Sequence, residues 1–312
     1  MRESQPESDS TTAPDVPTRR GAQRTMTTGD RADVSIPLDR PTAARAYGWL
    51  LGGKDNFAID RELTFQILEG FPEALDVARE NRKFLYRAVR FLVEEVGISQ
   101  FLDLGCGLPT NQNVHQVAQK FNPDARVVYV DNDPIVLAHG RALLADNDNT
   151  TVITADFREP EAVLEHEETK RLIDFSQPLA ILFLSIGHHL KDVDDVGKGA
   201  RYALRHIIDD IAVPGSCLAV TQVACDDPAL GAVMSEQFNA AGIPWQTRTP
   251  AEFDELMAGL EPVEPGLVDI KHWRPDPNQP ELDPVPPELY QYVGAAERNK
   301  NIYEYGGVLR KP

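Results

Sequence analysis

The fold is decided by residues 101–107, which read Phe-Leu-Asp-Leu-Gly-Cys-Gly. A short apolar run that ends in two closely spaced glycines predicts a buried strand and a tight turn, because glycine lets the backbone turn sharply and approach a ligand closely. A helix is predicted next, over residues 111–121. Strand, glycine turn and helix in this order are typical of the first unit of a nucleotide-binding α/β sheet.

Outward from this stretch, apolar strands alternate with helices. Four more strands are predicted, over residues 126–130, 150–154, 179–186 and 216–223. Helices are predicted between and after them, over residues 134–145, 192–211, 228–241 and 250–259. Two last strand candidates, 267–273 and 302–310, flank a proline-rich stretch at 275–287. The strands are apolar throughout, so the sequence predicts an α/β fold with a mostly parallel sheet and helices on both faces.

Three segments of different character divide the chain. Residues 1–33 are rich in Ser, Thr, Pro, Asp and Arg and lack an apolar signal-peptide core, which predicts a disordered tail. Residues 34–98 form a predicted N-terminal helical segment, and residues 99–312 carry the sheet. The helical segment consists of a loop at 41–57, a short helix at 60–70 and a longer helix at 72–96 that Gly97 ends.

Composition excludes several classes of protein. The chain has 312 residues, 42% of them hydrophobic, and a formal net charge of −18. Such an acidic chain is a poor candidate for binding nucleic acid or an anionic membrane, and no apolar run reaches the roughly 20 residues of a spanning helix. Three widely spaced cysteines form neither a disulfide framework nor a CxxC metal pair, and no HExxH pattern occurs. A cytoplasmic protein without a metal site is expected.

Acidic residues follow three of the predicted strands. Asp103, Asp131 and Asp156 lie at or just past strand ends, and His188 lies past the fourth strand. The carboxyl ends of parallel strands meet at one edge of a sheet, where ligands bind. The sequence therefore predicts one ligand site built from these four residues.

The glycine turn favours S-adenosylmethionine over a dinucleotide. A dinucleotide fingerprint needs a third glycine near position 110, where this chain has Thr110 after Pro109. S-adenosylmethionine has no phosphate, so Gly105, Cys106 and Gly107 suffice for a backbone contact. Asp103 beside the turn is suited to the ammonium group of the methionine part. A plain strand–helix turn is the simpler alternative.

Two further strand ends are suited to the adenosine part. Asp131, with the adjacent Asn132, is predicted to accept hydrogen bonds from the ribose hydroxyls. Asp133 is the alternative ribose ligand, although its place before a proline is typical of a helix cap. Asp156 is predicted to bind the adenine amino group and Phe157 to stack on the ring. For Asp156 and Phe157, a helix N-terminal acid and a core aromatic are the alternatives.

His188 ends the fourth strand, where a methyl donor would point. Its ordinary pKa lies near neutrality, so it is a candidate general base for a hydroxyl or amine acceptor. The alternative is a residue that caps the strand or binds substrate, and His188→Ala, expected to lose turnover but keep cofactor affinity, separates the two. Ser185, Ile186 and Gly187 are predicted to line the pocket, with His189 turned away. In order and position, the combined pattern matches class I methyltransferases.

Longer motifs resemble one family within that class. They comprise residues 50–57, 78–85, 101–110, 113–115, 128–134, 264–268 and 306–308. From residue 41 to residue 312 the chain resembles the actinobacterial S-adenosylmethionine methyltransferase family DUF574. The resemblance implies a Rossmann-like sheet of about seven strands and S-adenosylmethionine as cofactor. The chain departs from the family pattern at Gly48, Trp49 and Cys106, and the first two are expected to alter the acceptor side.

The resemblance also implies a role for the N-terminal segment. It suggests that five residues form a cap over the cofactor: Tyr47, Asn56, Phe57, Asn81 and Arg82. The adjacent glycines and the aromatic content of residues 47–57 are independently suited to a lid that excludes water. A packed helical pair with a surface loop is the alternative.

Three functions follow from these patterns. The first is a methyltransferase that acts on a small-molecule acceptor, without nucleic acid or membrane as partner. The second keeps S-adenosylmethionine but uses it for non-methylating sulfonium chemistry or for regulation, because a fold does not determine a function. The third, a NAD-dependent oxidoreductase, is opposed by Thr110.

Overall fold

The computed structural model describes residues 37–144, 147–192 and 199–312. The predicted tail at 1–33 lies outside these residues. The described chain folds around one eight-stranded sheet in the order β3-β2-β1-β4-β5-β8-β6, with β7 also paired to β8. The five parallel strands are β1 (Gln100–Leu104), β2 (Arg126–Asp131), β3 (Thr150–Thr154), β4 (Ala180–Leu184) and β5 (Cys217–Ala224). The predicted α/β class is confirmed.

The parallel strands are buried on both faces. Every residue of β1 and of β5 is buried, as expected for continuous apolar runs between two helical layers. β1 pairs with β2 on one side and with β4 on the other. The strand order therefore reverses beside β1, which is where ligands bind in open parallel sheets.

The last three strands are antiparallel to their neighbours. They are β6 (Glu261–Pro262), β7 (Val268–Asp269) and β8 (Tyr303–Arg310). The prediction of a strand over residues 267–273 is wrong after Asp269, because a 3-10 turn, Ile270–His272, directly follows β7. β8 pairs with β5 along its whole length, and Gly306 allows this pairing, since a Cβ there would lie 2.0 Å from the carbonyl oxygen of Val220.

Ten α-helices surround the sheet within the described residues. They are α1 (Ala43–Leu50), α2 (Ala58–Gly70), α3 (Ala74–Phe91), α4 (Val114–Phe121), α5 (Pro134–Leu143), α6 (Pro160–Leu164), α7 (Glu167–Leu172), α8 (Ala200–Arg205), α9 (Pro228–Ala240) and α10 (Pro250–Leu256). α4 begins three residues later than predicted, because the Gln116 side chain accepts the backbone N–H of Asn113 and caps its start. The predicted helix at 192–211 falls partly outside the described residues and is observed as α8 and a π-helical turn, His206–Ile211.

The N-terminal segment is more helical than predicted. Residues 43–50, predicted as part of a loop, form α1, whose start is capped by Thr42. Arg45 and Asp60 form a fully buried ion pair of 2.8 Å between α1 and α2. α3 continues into a π-helical turn, Leu92–Val96, and Gly97 ends it with a φ of 83°, as predicted. The described helical segment belongs to the same compact unit as the sheet.

The proline-rich stretch is held against α3 by arginines. Arg87 donates to the side chain of Gln279 at 3.1 Å, and it also donates to the carbonyl oxygens of Trp273 and Ile270, just before the stretch, at 2.9 and 2.7 Å. Arg79 donates to the carbonyl oxygen of Asp283 at 2.8 Å. Guanidinium groups satisfy backbone carbonyls that a proline-rich segment cannot pair in a sheet. The stretch is therefore a strap along α3, which ends close to the glycine turn.

The helices of the structure can be compared with the length and apolar character of a membrane-spanning helix. No helix within the described residues has the length and apolar character needed to cross a membrane.

Candidate functional site

The glycine turn after β1 has the conformation that its sequence predicts. Gly105 and Gly107 have φ angles of 72° and 65°, a region that favours glycine. A Cβ at Gly105 would lie 2.4 Å from the Ile186 Cδ1 atom, whereas a Cβ at Gly107 would meet nothing within 4 Å. The turn is therefore packed on the side of the β4 end and open beside Gly107.

Asp131 at the end of β2 holds this turn. Its Oδ2 atom accepts the backbone N–H of Gly107 at 2.9 Å, and its Oδ1 atom accepts that of Asp133 at 2.9 Å. Burial raises the pKa of Asp131 to about 6, although these backbone donors lower it. Asp133 instead caps α5 by accepting the N–H of Ile135 at 3.0 Å. Asp131 is thus placed at the turn, and Asp133 is occupied as a helix cap.

Asp103 lies buried within β1, next to the turn. Its side chain is 6% exposed. Burial raises its pKa to about 7, against the opposing effect of the Arg82 guanidinium, and Asp131 raises it further. Two carboxyl groups and one guanidinium therefore interact at the carboxyl ends of β1 and β2.

Arg82 of α3 is the cation that lies near the carboxyl group of Asp103. One of its terminal nitrogens donates to the Asn111 carbonyl oxygen at 2.9 Å and to Asn113 Oδ1 at 3.2 Å. Its Nε atom is buried and has no hydrogen-bond partner within the described residues. Burial lowers the pKa of Arg82, while the charge of Asp103 opposes this effect. The orphaned Nε–H leaves Arg82 with a donor for an anionic group.

Asp156 and Phe157, predicted to bind adenine, have contacts within the protein at the end of β3. Asp156 forms an ion pair with Arg158, and the exposed side chain of Asn132 donates to it at 3.5 Å. Burial would raise the pKa of Asp156, but the hydrogen bonds from Arg158 outweigh it and lower the pKa. Phe157 packs edge-on against Phe183 at 5.4 Å within the core. These contacts favour the alternative, a core role for Phe157.

Two of the cap residues reach the strand ends. The Tyr47 hydroxyl accepts from Asn81 Nδ2 at 2.9 Å and donates to the Ala78 carbonyl oxygen at 3.2 Å. Asn81 Oδ1 accepts the hydroxyl of Thr221, on β5, at 2.8 Å. Thr221 Oγ1 accepts the backbone N–H of Ser185 at 2.8 Å. Tyr47 and Asn81 thus connect α1 and α3 with the ends of β4 and β5.

Two more of the five predicted cap residues, Asn56 and Phe57, lie in the loop between α1 and α2. Asn56 donates to the Gly53 carbonyl oxygen at 3.1 Å and accepts from Arg61 at 2.8 Å. The Phe57 ring is 38% exposed and lies 5.0 Å from the Arg45 guanidinium. These contacts keep the loop in shape, and none of them joins Asn56 or Phe57 to the glycine turn. Their role over the cofactor stays a prediction.

Ser185 and Glu304 complete the edge near β4. Ser185 has a φ of 57°, an uncommon value for a residue other than glycine and one often found at functional sites. Glu304, on β8, is 2% exposed, and burial raises its pKa to about 8, against the effect of the Thr221 and Ser185 hydroxyl groups. Sequence analysis missed Glu304, because β8 joins this edge only through its pairing with β5.

His188 is packed away from these residues. It is 2% exposed and stacks on the Trp245 ring at 3.8 Å. Its Nδ1 atom accepts the backbone N–H of Val223 at 3.2 Å, which defines the tautomer. Burial, then the charges of His189 and Arg248, lower its pKa well below 6.5. This neutral, stacked imidazole favours the packing alternative over general base catalysis.

Comparisons with known proteins identify the family of this chain. A family model described as S-adenosyl methyltransferase matches residues 29–312, and the chain belongs to that family. The chain is similar to the crystal structure of a candidate methyltransferase from Thermobifida fusca, with 43% identity, a TM-score of 0.73, and 91% and 99% of the two chains covered. It is also similar to a DUF574 family protein from Streptomyces avermitilis, with 34% identity, a TM-score of 0.74, and 88% and 98% covered. No curated protein matches the chain.

Proposed function

We propose that this member of the S-adenosyl methyltransferase family methylates a small molecule at the carboxyl edge of β1, β2 and β4. The protein is an S-adenosylmethionine-dependent methyltransferase with the corresponding fold. The observation that carries the site assignment is the buried carboxyl group of Asp103 and the unpartnered Nε–H of the half-buried Arg82, beside the open glycine turn.

The residues at this edge fit the cofactor. The methionine part of S-adenosylmethionine carries an ammonium and a carboxylate, which match Asp103 and the orphaned Nε–H of Arg82. Asp131 accepts two backbone N–H groups and, as a carboxylate with about four lone-pair sites, keeps capacity for ribose hydroxyls. Gly107 leaves open space for a ligand next to the backbone. When bound, the cofactor supplies a methyl group activated by the sulfonium.

The protein's contribution to the reaction is binding and orientation. Holding the acceptor in line with the methyl group is expected to supply most of the rate acceleration. Tyr47 and Asn81, from the N-terminal helices, cover the strand ends and limit the entry of water. A small acceptor is proposed, because buried groups surround this edge and a net charge of −18 repels nucleic acid.

We further propose a packing role for His188 in place of general base catalysis. Its Nδ1 lone pair is taken by Val223 N–H, and the Trp245 ring covers the face of the imidazole. Another group at the edge must then accept a proton where the acceptor loses one.

Transfer of labelled methyl groups tests the proposed function. The protein is incubated with S-adenosylmethionine carrying ¹³C in its methyl group and with the small-molecule fraction of an actinobacterial extract. Parallel reactions contain the total RNA or the protein fraction of that extract. We expect ¹³C-methyl products and S-adenosylhomocysteine only with the small-molecule fraction. Label in RNA or protein, or release of methylthioadenosine, would overturn the proposal.

A further inference from the structure

Glu304 is a buried carboxyl group at the edge where the acceptor is proposed to bind. It lies on β8 opposite Val223 of β5, in the strand pair that extends the sheet beyond β4. Neither of its carboxyl oxygens has a hydrogen-bond partner within the described residues. A buried carboxylate is costly unless a cation or several hydrogen bonds compensate it.

The groups that face Glu304 carry no positive charge. The hydroxyl groups of Thr221 of β5 and Ser185 after β4 lie near its carboxyl group and lower its pKa. The Thr221 hydroxyl donates its proton to Asn81, however, and so cannot donate it to Glu304. Tyr47 of α1 is the titratable neighbour, and its pKa is raised to about 12, first by burial and then by the charge of Glu304. The charge of Arg82 lowers the pKa of Tyr47. Within the described residues, neither Arg82 nor any other cationic side chain forms an ion pair with Glu304. The site thus presents a carboxylate without a counter-ion.

The position of Glu304 points away from a purely structural role. Glu73, the other fully buried glutamate of this region, accepts the backbone N–H groups of Asn301 and Ile302 at 3.1 and 3.2 Å and so holds the start of β8. Glu304 accepts no backbone N–H within the described residues; the groups against it are the hydroxyls of Ser185 and Thr221. One of these, Ser185, has the strained backbone described above. Backbone strain beside a buried carboxyl group that lacks hydrogen-bond partners is typical of a ligand site.

We infer that Glu304 binds the nitrogen of an amine acceptor and takes one proton from it, which makes this protein an N-methyltransferase for a small amine. This inference rests on the proposed function. An ammonium supplies the missing counter-ion, whereas a hydroxyl acceptor would leave the carboxylate uncompensated. A chain with a net charge of −18 also attracts cationic acceptors.

The proton transfer gives a balanced reaction. The bound ammonium loses one proton to the Glu304 carboxylate, which leaves a neutral amine with a free lone pair. That lone pair forms the nitrogen–methyl bond while the methyl–sulfur bond breaks and leaves its electrons on sulfur. The product is a methylated ammonium, and Glu304 returns its proton to solvent. Because the pKa of Glu304 is about 8, its carboxylate is a base matched to neutral pH.

Probe binding to the full chain saturated with S-adenosylhomocysteine tests this inference. Propylammonium and its neutral isostere propanol are titrated by calorimetry at pH 8. We expect saturable binding of propylammonium, at least tenfold weaker binding of propanol, and at least tenfold weaker propylammonium binding by Glu304→Gln. Glu304→Asp, which keeps the charge, is expected to retain part of the affinity. Glu297→Gln, an exposed glutamate before β8, is the matched control and should bind as the wild type does.

The same titrations separate the two proposals. Equal propylammonium affinity in wild type and Glu304→Gln, equal affinity for propanol, or no saturable binding of propylammonium would overturn the amine inference. The proposed function still stands in those cases if wild type and both Glu304 variants bind S-adenosylhomocysteine equally. If the wild type does not bind S-adenosylhomocysteine, the proposed function itself fails. Unfolding temperatures of the variants show whether each one is folded.

Discussion

The Oδ2 atom of Asp131 accepts a hydrogen bond of 2.9 Å from the backbone N–H of Gly107. This bond joins the end of β2 to the turn that follows β1, across two adjacent parallel strands. The turn is therefore held open by the same carboxylate that is proposed to bind the ribose. Loop shape and ligand binding depend on one side chain.

Replacement of Asp131 tests this double role. Asp131→Ala removes the acceptor for Gly107 N–H and for the ribose, and hydrogen bonds to a charged group contribute about 1.5–3 kcal/mol. We expect the affinity for S-adenosylhomocysteine to fall by about tenfold to a hundredfold in calorimetry. Asp133→Ala is the control: it removes the α5 cap and costs about 1 kcal/mol of stability, with cofactor affinity unchanged. Equal losses of affinity in both variants would contradict the assignment.

The pKa of Asp103 predicts how cofactor binding depends on pH. Burial raises this pKa to about 7, and only the ionised carboxylate pairs with the ammonium of the ligand. Near pH 8 Asp103 is mostly ionised, and the affinity for S-adenosylhomocysteine should be close to its highest value. Below about pH 7 the ligand must displace a proton, so its dissociation constant should rise roughly tenfold per pH unit.

Asp103→Asn provides the control for this pH profile. The variant cannot ionise at this position, so it should bind more weakly at pH 8 and show a flat profile between pH 6.5 and 8. Asp131, with a pKa of about 6, titrates mainly below that range. An unchanged slope in the variant would assign the proton to another group.

The central part of the fold could be predicted from local sequence. Residues 101–107 combine an apolar run with two glycines, and both the strand and the positive φ angles follow from these residue types. Asp131 was predicted at the ribose because strand ends in a parallel sheet meet at one edge. Helix α1 was missed, although Thr42 before an alanine-rich run is a capping signal.

Other features depend on contacts between distant residues. Glu304 lies about 200 residues after Asp103 in the sequence and reaches the same edge only because β8 pairs with β5. The proline-rich stretch is a strap because arginines of α3 bind the carbonyl oxygen of Asp283 and the side chain of Gln279. His188 was predicted to end a strand, but it lies in a 3-10 turn after β4, and Trp245, more than 50 residues later, stacks on it. Local patterns carry no information about such partners.

His188→Ala tests the packing role. The substitution removes the stack on Trp245 and leaves the Val223 N–H unpaired, which together should cost about 2–4 kcal/mol of unfolding free energy. Transfer of ¹³C-methyl groups to the small-molecule fraction, per folded molecule, should stay within about twofold of wild type. His272→Ala, at an exposed position, should change neither quantity. A loss of turnover of about a hundredfold in folded His188→Ala would instead establish it as the general base.

The buried Glu304 carboxyl group predicts how stability depends on pH. Its pKa rises from 4.5 in the unfolded chain to about 8 in the folded protein, so the folded state keeps a proton that the unfolded state loses. Stability from this group is therefore fully present below about pH 4.5 and is lost as the pH rises to about 8. The loss amounts to at most about 5 kcal/mol.

Glu304→Gln isolates this contribution, because the variant carries no proton at this position. In urea unfolding of the cofactor-free chain, the variant should gain stability relative to wild type between pH 5 and pH 9, by several kcal/mol at the upper end. Asp103 and Asp131 titrate in both proteins and cancel in the difference. The unfolding free energy of Glu297→Gln should follow that of wild type from pH 5 to pH 9. If the unfolding free energy of Glu304→Gln changes with pH in the same way as that of wild type, the carboxylate is compensated in the folded state. An ammonium is then not needed to neutralise it.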